Sequence, residues 1–406
     1  MPNPKNTIFA FVTIFVVPLL FFVLLELGLK VAGVGNSYDF FHEIDIDGEP
    51  HYQENPDFAD QFYPSSLDIS PRENTFAVDR STDLVRVYIL GGSAALGFPH
   101  KNHGLDRLLK TQLQAALPSR KVEVINTAMT SVNSHVVYAV ARSIPKNSAD
   151  FAVILMGNNE VVGPYGPGTL QQDFLSNITV IRSLQALKRT RTWQALESLL
   201  LKLRPTDARQ DLEWEGMQMF TDHGVPQDDP RLAGVYSHYE DNLTDIIETL
   251  QGKGMRVLLS SVPVNLRHSA PFLSVRSPNL SKERLDQWRA ATRSGAESAA
   301  AGNWDDAVTQ FRAALEIDPE YADTHFRLAT ALENLGDYQE ARTHFERALD
   351  LDALRFRADT RINQIIQDVA ASTEDEALSF VDSAAAFEQV SQPYQPGWNL
   401  LLEHVH

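Results

Sequence analysis

Five short apolar runs punctuate the chain at Val85–Leu90, Val122–Ile125, Ala152–Met156, Val257–Ser260 and Leu378–Val381. Runs this short, rich in branched residues and without strict alternation, predict strands buried on both faces. Between the first two, Leu105, Leu108, Leu109 and Leu113 recur on one face and predict a helix over 106–116. Strands alternating with helices predict a parallel sheet covered on both sides, with right-handed crossovers. Ligands of such sheets sit at the carboxyl ends of the strands. Residues 35–83 are polar, aromatic and proline-bearing with little periodicity. They read as a connector that partly packs on the α/β domain. Residues 176–203 form a Leu- and Arg-rich amphipathic stretch, either surface helices covering the sheet or a lid.

The longest apolar run is Ile8–Leu25, eighteen consecutive uncharged residues, extended by Leu27–Leu29. It approaches the roughly 20 residues needed to span a bilayer. A signal-peptide core is shorter, about 7–15 residues. The pattern therefore predicts an uncleaved membrane anchor over 1–34, with cleavage near Ala32-Gly33 as the alternative. Lys5 and the amino terminus slightly outweigh Lys30, which predicts a cytoplasmic N-terminus and an extracytoplasmic bulk.

A second periodicity lies between 295 and 352. Gly302, Trp304, Ala307, Phe311, Ala314 and Leu315 recur 34 positions later as Gly336, Tyr338, Ala341, Phe345, Ala348 and Leu349. That period, with small residues flanking an aromatic, is the signature of tetratricopeptide (TPR) helix pairs, whose stacked surfaces dock proteins. The opening helix of the first repeat, around 292–301, reads as degenerate, and helices within 352–371 are expected to cap the pair. The strand Leu378–Val381 follows, so the repeats are an all-α insertion within the α/β domain.

Composition narrows the chemistry. The 406 residues include 53 acidic and 35 basic side chains, a net charge of −18, which argues against nucleic acid as a partner. There is no cysteine. Disulfides, thiolate catalysis and cysteine-bound zinc are excluded. His100 and His103 lie near one another without acidic partners at ligand spacing, so no metal and no cofactor is expected.

The chemistry-bearing stretch is Leu90-Gly91-Gly92-Ser93-Ala94-Ala95-Leu96-Gly97, directly after the first predicted strand. It places a hydroxyl at the carboxyl edge of a sheet and the start of a helix, where backbone N–H groups favour negative charge. Phosphate loops and ordinary strand–helix turns share that pattern. Two further segments add to it: Gly157-Asn158-Asn159-Glu160 at another strand end, and the terminal Glu403-His404-Val405-His406. With these blocks the chain resembles the SGNH (GDSL-like) hydrolase family. Gly91-Gly92-Ser93 matches the first block. Gly157-Asn158-Asn159 matches Gly-x-Asn-Asp approximately, and Glu403–His406 matches Asp-x-x-His. The segment 157–168 resembles an envelope-associated branch of the family that also carries TPR repeats.

The resemblance implies a flavodoxin-like five-stranded parallel sheet spread over 84–294 and 372–406, interrupted by the insertion 295–371. It implies ester hydrolysis without a metal. Ser93 is then the nucleophile, His406 the base and Glu403 its orienting acid. The oxyanion hole is formed by the N–H groups of Ser93 and Ser131 and the side-chain amide of Asn158. Ser131 stands where the family has glycine, so a positive φ there costs more. Glu403 replaces aspartate, Asn159 is read as standing where aspartate is usual, and Glu160 as ordering that loop. His404 is read as structural, and Asn265 and Arg267 as either substrate-binding or loop-stabilising. The family continues past the histidine with a loop and helix, so the chain reads as truncated after His406. The compartment alone points to an O-acyl group on an envelope glycan as substrate, with lipid esters and thioesters as alternatives. The rival readings are a non-catalytic TPR-bearing binding protein and a surface-polymer acyltransferase.

Overall fold

The computed structural model describes residues 12–67, 69–100, 104–169, 174–203, 216–373 and 375–406. His103 lies outside the described residues. The described residues open with a π-helical turn at Val12–Val16 and the helix α1 (Val17–Val31). Together Thr13–Val31 is long and apolar enough to cross a membrane, and none of it is buried in the protein.

The central sheet has five parallel strands, β4 (Leu84–Gly91), β5 (Lys121–Asn126), β6 (Phe151–Leu155), β7 (Arg256–Ser260) and β8 (Leu378–Val381). Their spatial order is β5-β4-β6-β7-β8. That is the flavodoxin-like order, with its topological switch point beside β4. Strand β4 is the most buried because both its faces are covered, and Tyr88, Ile89 and Leu90 have almost no exposure. Its one charged side chain, Arg86, is buried but fully engaged. It donates to Glu123 Oε2 at 2.5 Å, to the Ser148 carbonyl at 3.2 Å and to the Ala77 carbonyl at 2.9 Å. Pairing of this kind offsets the desolvation of a buried cation.

The connector is more ordered than its sequence predicts. It forms a three-stranded antiparallel sheet, β1 (Phe41–Ile46), β2 (Glu49–Glu54) and β3 (Thr75–Ala77). An edge-to-face aromatic chain ties it to the main sheet: Phe40 on Phe58 at 4.8 Å, Phe41 on Phe76 at 5.4 Å, and Phe76 on Tyr88 at 6.0 Å. These rings carry the alternation that the polar intervening residues hide.

Helices α2 (Ser93–Leu96), α3 (Leu105–Ala116), α4 (Ser134–Ser143), α5 (Ile178–Lys188), α6 (Arg191–Leu203) and α7 (Arg231–Gly252) precede the insertion. The insertion is two helix pairs, α8 (Lys282–Ala300) with α9 (Trp304–Ile317), then α10 (Ala322–Leu335) with α11 (Tyr338–Asp350). Gly295 lets α8 approach α9, because a Cβ there would stand 2.7 Å from the Phe311 ring. The first repeat is therefore complete, with its opening helix beginning at Lys282 rather than near 292, and the insertion starts earlier than 295.

Its end is also earlier than 371. A strap, 351–359, leads back to the sheet, and helix α12 (Thr360–Ser372) is the crossover to β8. Ile362, Ile365, Ile366 and Val369 are buried in the main core, and Asn363 exchanges two hydrogen bonds with the Val262 backbone, at 2.8 and 3.0 Å. Helix α12 therefore belongs to the α/β domain and is not a cap on the repeats. The last helix, α13 (Ser383–Ser391), follows β8.

Candidate active site

Ser93 is the first residue of α2, at the carboxyl end of β4, and is 9% exposed. The turn before it is possible only with glycine, since a Cβ on Gly91 would lie 2.0 Å from the Leu155 carbonyl of β6. The loop after β5 is held by Asn126, which donates to the Ala95 carbonyl at 2.9 Å and accepts from Ala128 N–H at 3.1 Å. In this loop Ser131 adopts φ +61°, the left-handed conformation that glycine would take without strain. Its carbonyl accepts from the Tyr63 hydroxyl at 2.6 Å, which holds the peptide in place.

The third loop corrects the register read from sequence. Asn158 does not line the site. Its Oδ1 accepts the Ala358 N–H at 2.8 Å, pinning the strap to the end of β6. Asn159, at φ +65°, lines the same cavity as Ser93. In Gly-x-Asn-Asp the asparagine is the third residue, which is Asn159, and the acidic place falls on Glu160. Two adjacent asparagines hid this shift.

Glu160 is buried behind the loop, where its carboxylate oxygens accept from Ser134 N–H at 2.9 Å and Ser134 Oγ at 2.7 Å. Burial outweighs these bonds and pushes its pKa up to about 8. Glu54, buried at the end of β2 within the connector, is pushed up to about 7 for the same reason. A carboxyl that holds its proton more tightly when folded stabilises most below its ordinary pKa, and that contribution is lost as pH rises through the folded value. Below about pH 6.5 the buried neutral histidines act in the opposite direction, so the melting temperature is expected to fall between about pH 6.5 and 8, and Glu160→Gln should flatten that fall. Thermal melts of both proteins across this range check it; an unchanged slope in the variant would remove Glu160 as the cause.

The final segment brings a carboxylate against a histidine. Glu403 Oε1 makes a short hydrogen bond with His406 Nδ1. With that nitrogen carrying its proton toward the carboxylate, Nε2 keeps a lone pair. His406 Nε2 is buried and has no hydrogen-bond partner. His404 packs edge-on against Phe272 at 5.2 Å, and burial pushes its pKa down to about 4, so it is held neutral. Asn265 fixes this segment, donating from Nδ2 to the Glu403 carbonyl at 2.8 Å and from its backbone to the His404 carbonyl at 2.9 Å. Its role is loop-stabilising. Arg267 pairs with Glu333 of α10 at 2.7 Å, tying the insertion to the same corner.

Ser93, Ser131, Asn159, Glu403 and His406 line one cavity of about 420 Å³. Its remaining wall is largely apolar. Phe62, Leu67 and Ile69 come from the connector, Phe98 from the loop after α2, Phe220 from the segment before α7, and Phe356 from the strap. The connector and the strap were missed as site elements. The signal that carried them was aromatic residues in otherwise polar stretches. Residues 176–203, read as a possible lid, contribute no described residue to this cavity. Among the described residues no cluster of His, Asp or Glu is arranged to hold a metal ion.

The tetratricopeptide repeat family matches residues 292–355. The insertion is a tetratricopeptide repeat region. The match spans α9 to α11 and the end of α8, and the TPR hairpins are those seen in the fold. No curated protein sequence matches the chain. Two solved structures are similar at low overlap. TesA is 13% identical, covering 53% of this chain and 73% of its own, with a TM-score of 0.24. A lipase/acylhydrolase from Enterococcus faecalis is 11% identical, covering 70% of this chain and 92% of its own, also with a TM-score of 0.24.

Proposed function

We propose that the chain is a membrane-anchored serine hydrolase of the SGNH type, cleaving carboxylic esters through an acyl-Ser93 intermediate. The observation that carries this reading is the meeting of Ser93, Asn159 and the Glu403–His406 pair in one largely apolar cavity at the carboxyl ends of the strands. Ser93 Oγ attacks the ester carbonyl carbon as its proton passes to His406 Nε2. Glu403 holds the imidazole in the required tautomer and stabilises its charged form. The oxyanion receives the N–H groups of Ser93 and Ser131 and the side-chain amide of Asn159. Collapse breaks the bond to the alcohol, which leaves with the proton from His406. Water, deprotonated by the same nitrogen, then releases the acid.

The wall of phenylalanines favours an acyl chain over a bare acetyl group. An acyl-bearing envelope glycan would enter by its acyl arm, with the polar part outside. Each methylene buried is worth about 0.8 kcal/mol, so kcat/KM should rise by up to about fourfold per carbon until the cavity fills. Turnover of a p-nitrophenyl ester series from acetate to octanoate tests this, and a maximum at acetate would contradict the acyl-binding role. The anchor Thr13–Val31, with a cytoplasmic N-terminus, puts the catalytic domain outside the cytoplasm. The TPR hairpins offer a docking surface for a partner protein.

A further inference from the structure

Helix α6 does not serve the cavity; it meets the anchor. Glu26 of α1 accepts the N–H groups of Arg191 and Thr192 at 2.7 and 2.9 Å and the Thr192 hydroxyl at 2.8 Å. A carboxylate at a helix N-terminus matches both its unpaired donors and its dipole. Gln194 closes the joint, accepting from Asn36 N–H at 2.7 Å and donating to the Asn36 carbonyl at 3.1 Å. The hairpin α5–α6 is thereby held at the end of α1 from which the rest of the chain emerges.

The other side of α6 is uncovered among the described residues. Leu196, Leu199, Leu200 and Leu203 follow the spacing of a single helical stripe, and they are 47%, 55%, 53% and 71% exposed. No residue of α6 is buried. On α5, Val180 and Leu187 are also exposed. Residues 178–203 carry five basic side chains and one acidic in a chain whose net charge is −18. Arg182 and Arg189 pair with Asp245 and Asp39, Lys188 has Glu197 beside it and Arg191 has Glu26, which leaves the exposed Lys202, next to Leu203 at the end of the stripe, as the hairpin's surplus cation among the described residues. A leucine stripe with a cation at its end, beside a membrane-spanning helix, is the composition of an interfacial helix.

We propose that the α5–α6 hairpin lies on the membrane, its leucine stripe in the acyl boundary and Lys202 at anionic headgroups, so that the domain is docked to lipid and not merely tethered. This rests on the reading of Thr13–Val31 as an anchor. The occupant of the stripe is the lipid surface continuous with that around α1.

The absence of cysteine makes single-site labelling direct. Full-length chains carrying Leu199→Cys or Leu203→Cys, nitroxide-labelled, are reconstituted in phosphatidylcholine vesicles with and without phosphatidylglycerol. Leu20→Cys in α1 reports the anchor, and Leu335→Cys at the end of α10 reports water. Labels at 199 and 203 should be accessible to oxygen and shielded from a nickel chelate, as at 20. Shielding should weaken at 203, but not at 20, when phosphatidylglycerol is removed; no change would overturn the headgroup part. Nickel accessibility at 199 and 203 equal to that at 335, with 20 still shielded, would overturn the inference and leave the anchor standing. Nickel accessibility at 20 would overturn both. Exclusion of both reagents at 199 and 203 would assign the stripe to a protein contact instead.

Discussion

Ser93→Ala is expected to lower ester turnover by a factor on the order of 10⁴ or more, since removing a triad nucleophile leaves only binding and the oxyanion site. The melting temperature should barely move. Ser93 is a small residue at the start of a short helix whose N-cap is Gly92, so its replacement removes no capping bond, and alanine fits that position. His406→Ala should cost a similar factor, because the two act as a unit and their losses do not add. The check is kcat on a mid-length p-nitrophenyl ester alongside a thermal melt. Turnover retained in folded Ser93→Ala would place the nucleophile elsewhere.

The second large effect separates two neighbouring asparagines. Asn159→Gly keeps the left-handed backbone without strain and removes only the amide, so kcat should fall by about 10²–10³ with KM little changed. Asn158→Ala should act on stability. It leaves the Ala358 N–H without its acceptor in a buried setting, a cost of about 1–3 kcal/mol, while kcat at low temperature stays within a few-fold. The opposite pattern, a kcat loss at 158 and a stability loss at 159, would restore the register read from the sequence.

The sheet was legible because its inner strands, β4 above all, are buried on both faces, while the edge strand β8 is largely exposed. Short apolar runs such as Ala152–Met156, and Val85–Leu90 with only Arg86 interrupting it, fit best between covering helices, and the observed strands match the predicted ones to within two residues. The repeat was legible because its periodicity survives in Ala307, Phe311 and their counterparts. Its first helix was not, since α8 exposes most of its length and buries only Trp288 and Gly295. The connector strands were hidden by charged outer faces and by Pro50 within β2. Ser93 and the Glu403–His406 pair could be read from local order alone. The Asn158–Asn159 choice could not, because only the φ of +65° at Asn159 and the strap's hold on Asn158 decide which side chain faces the cavity. Nothing in the local pattern of 351–359 announces that Phe356 will wall that cavity, because the contact depends on how the insertion returns to the sheet.

The most direct test of the account is covalent. A fluorophosphonate needs a nucleophilic serine beside a base and an oxyanion site, and it reports the site independently of substrate choice. Full-length protein in membranes, treated with the probe and mapped by peptide mass, should carry one adduct, on Ser93, and none in His406→Ala. An adduct on another serine, or none on Ser93 in protein that melts cooperatively, would contradict the assignment of this cavity as a serine hydrolase site.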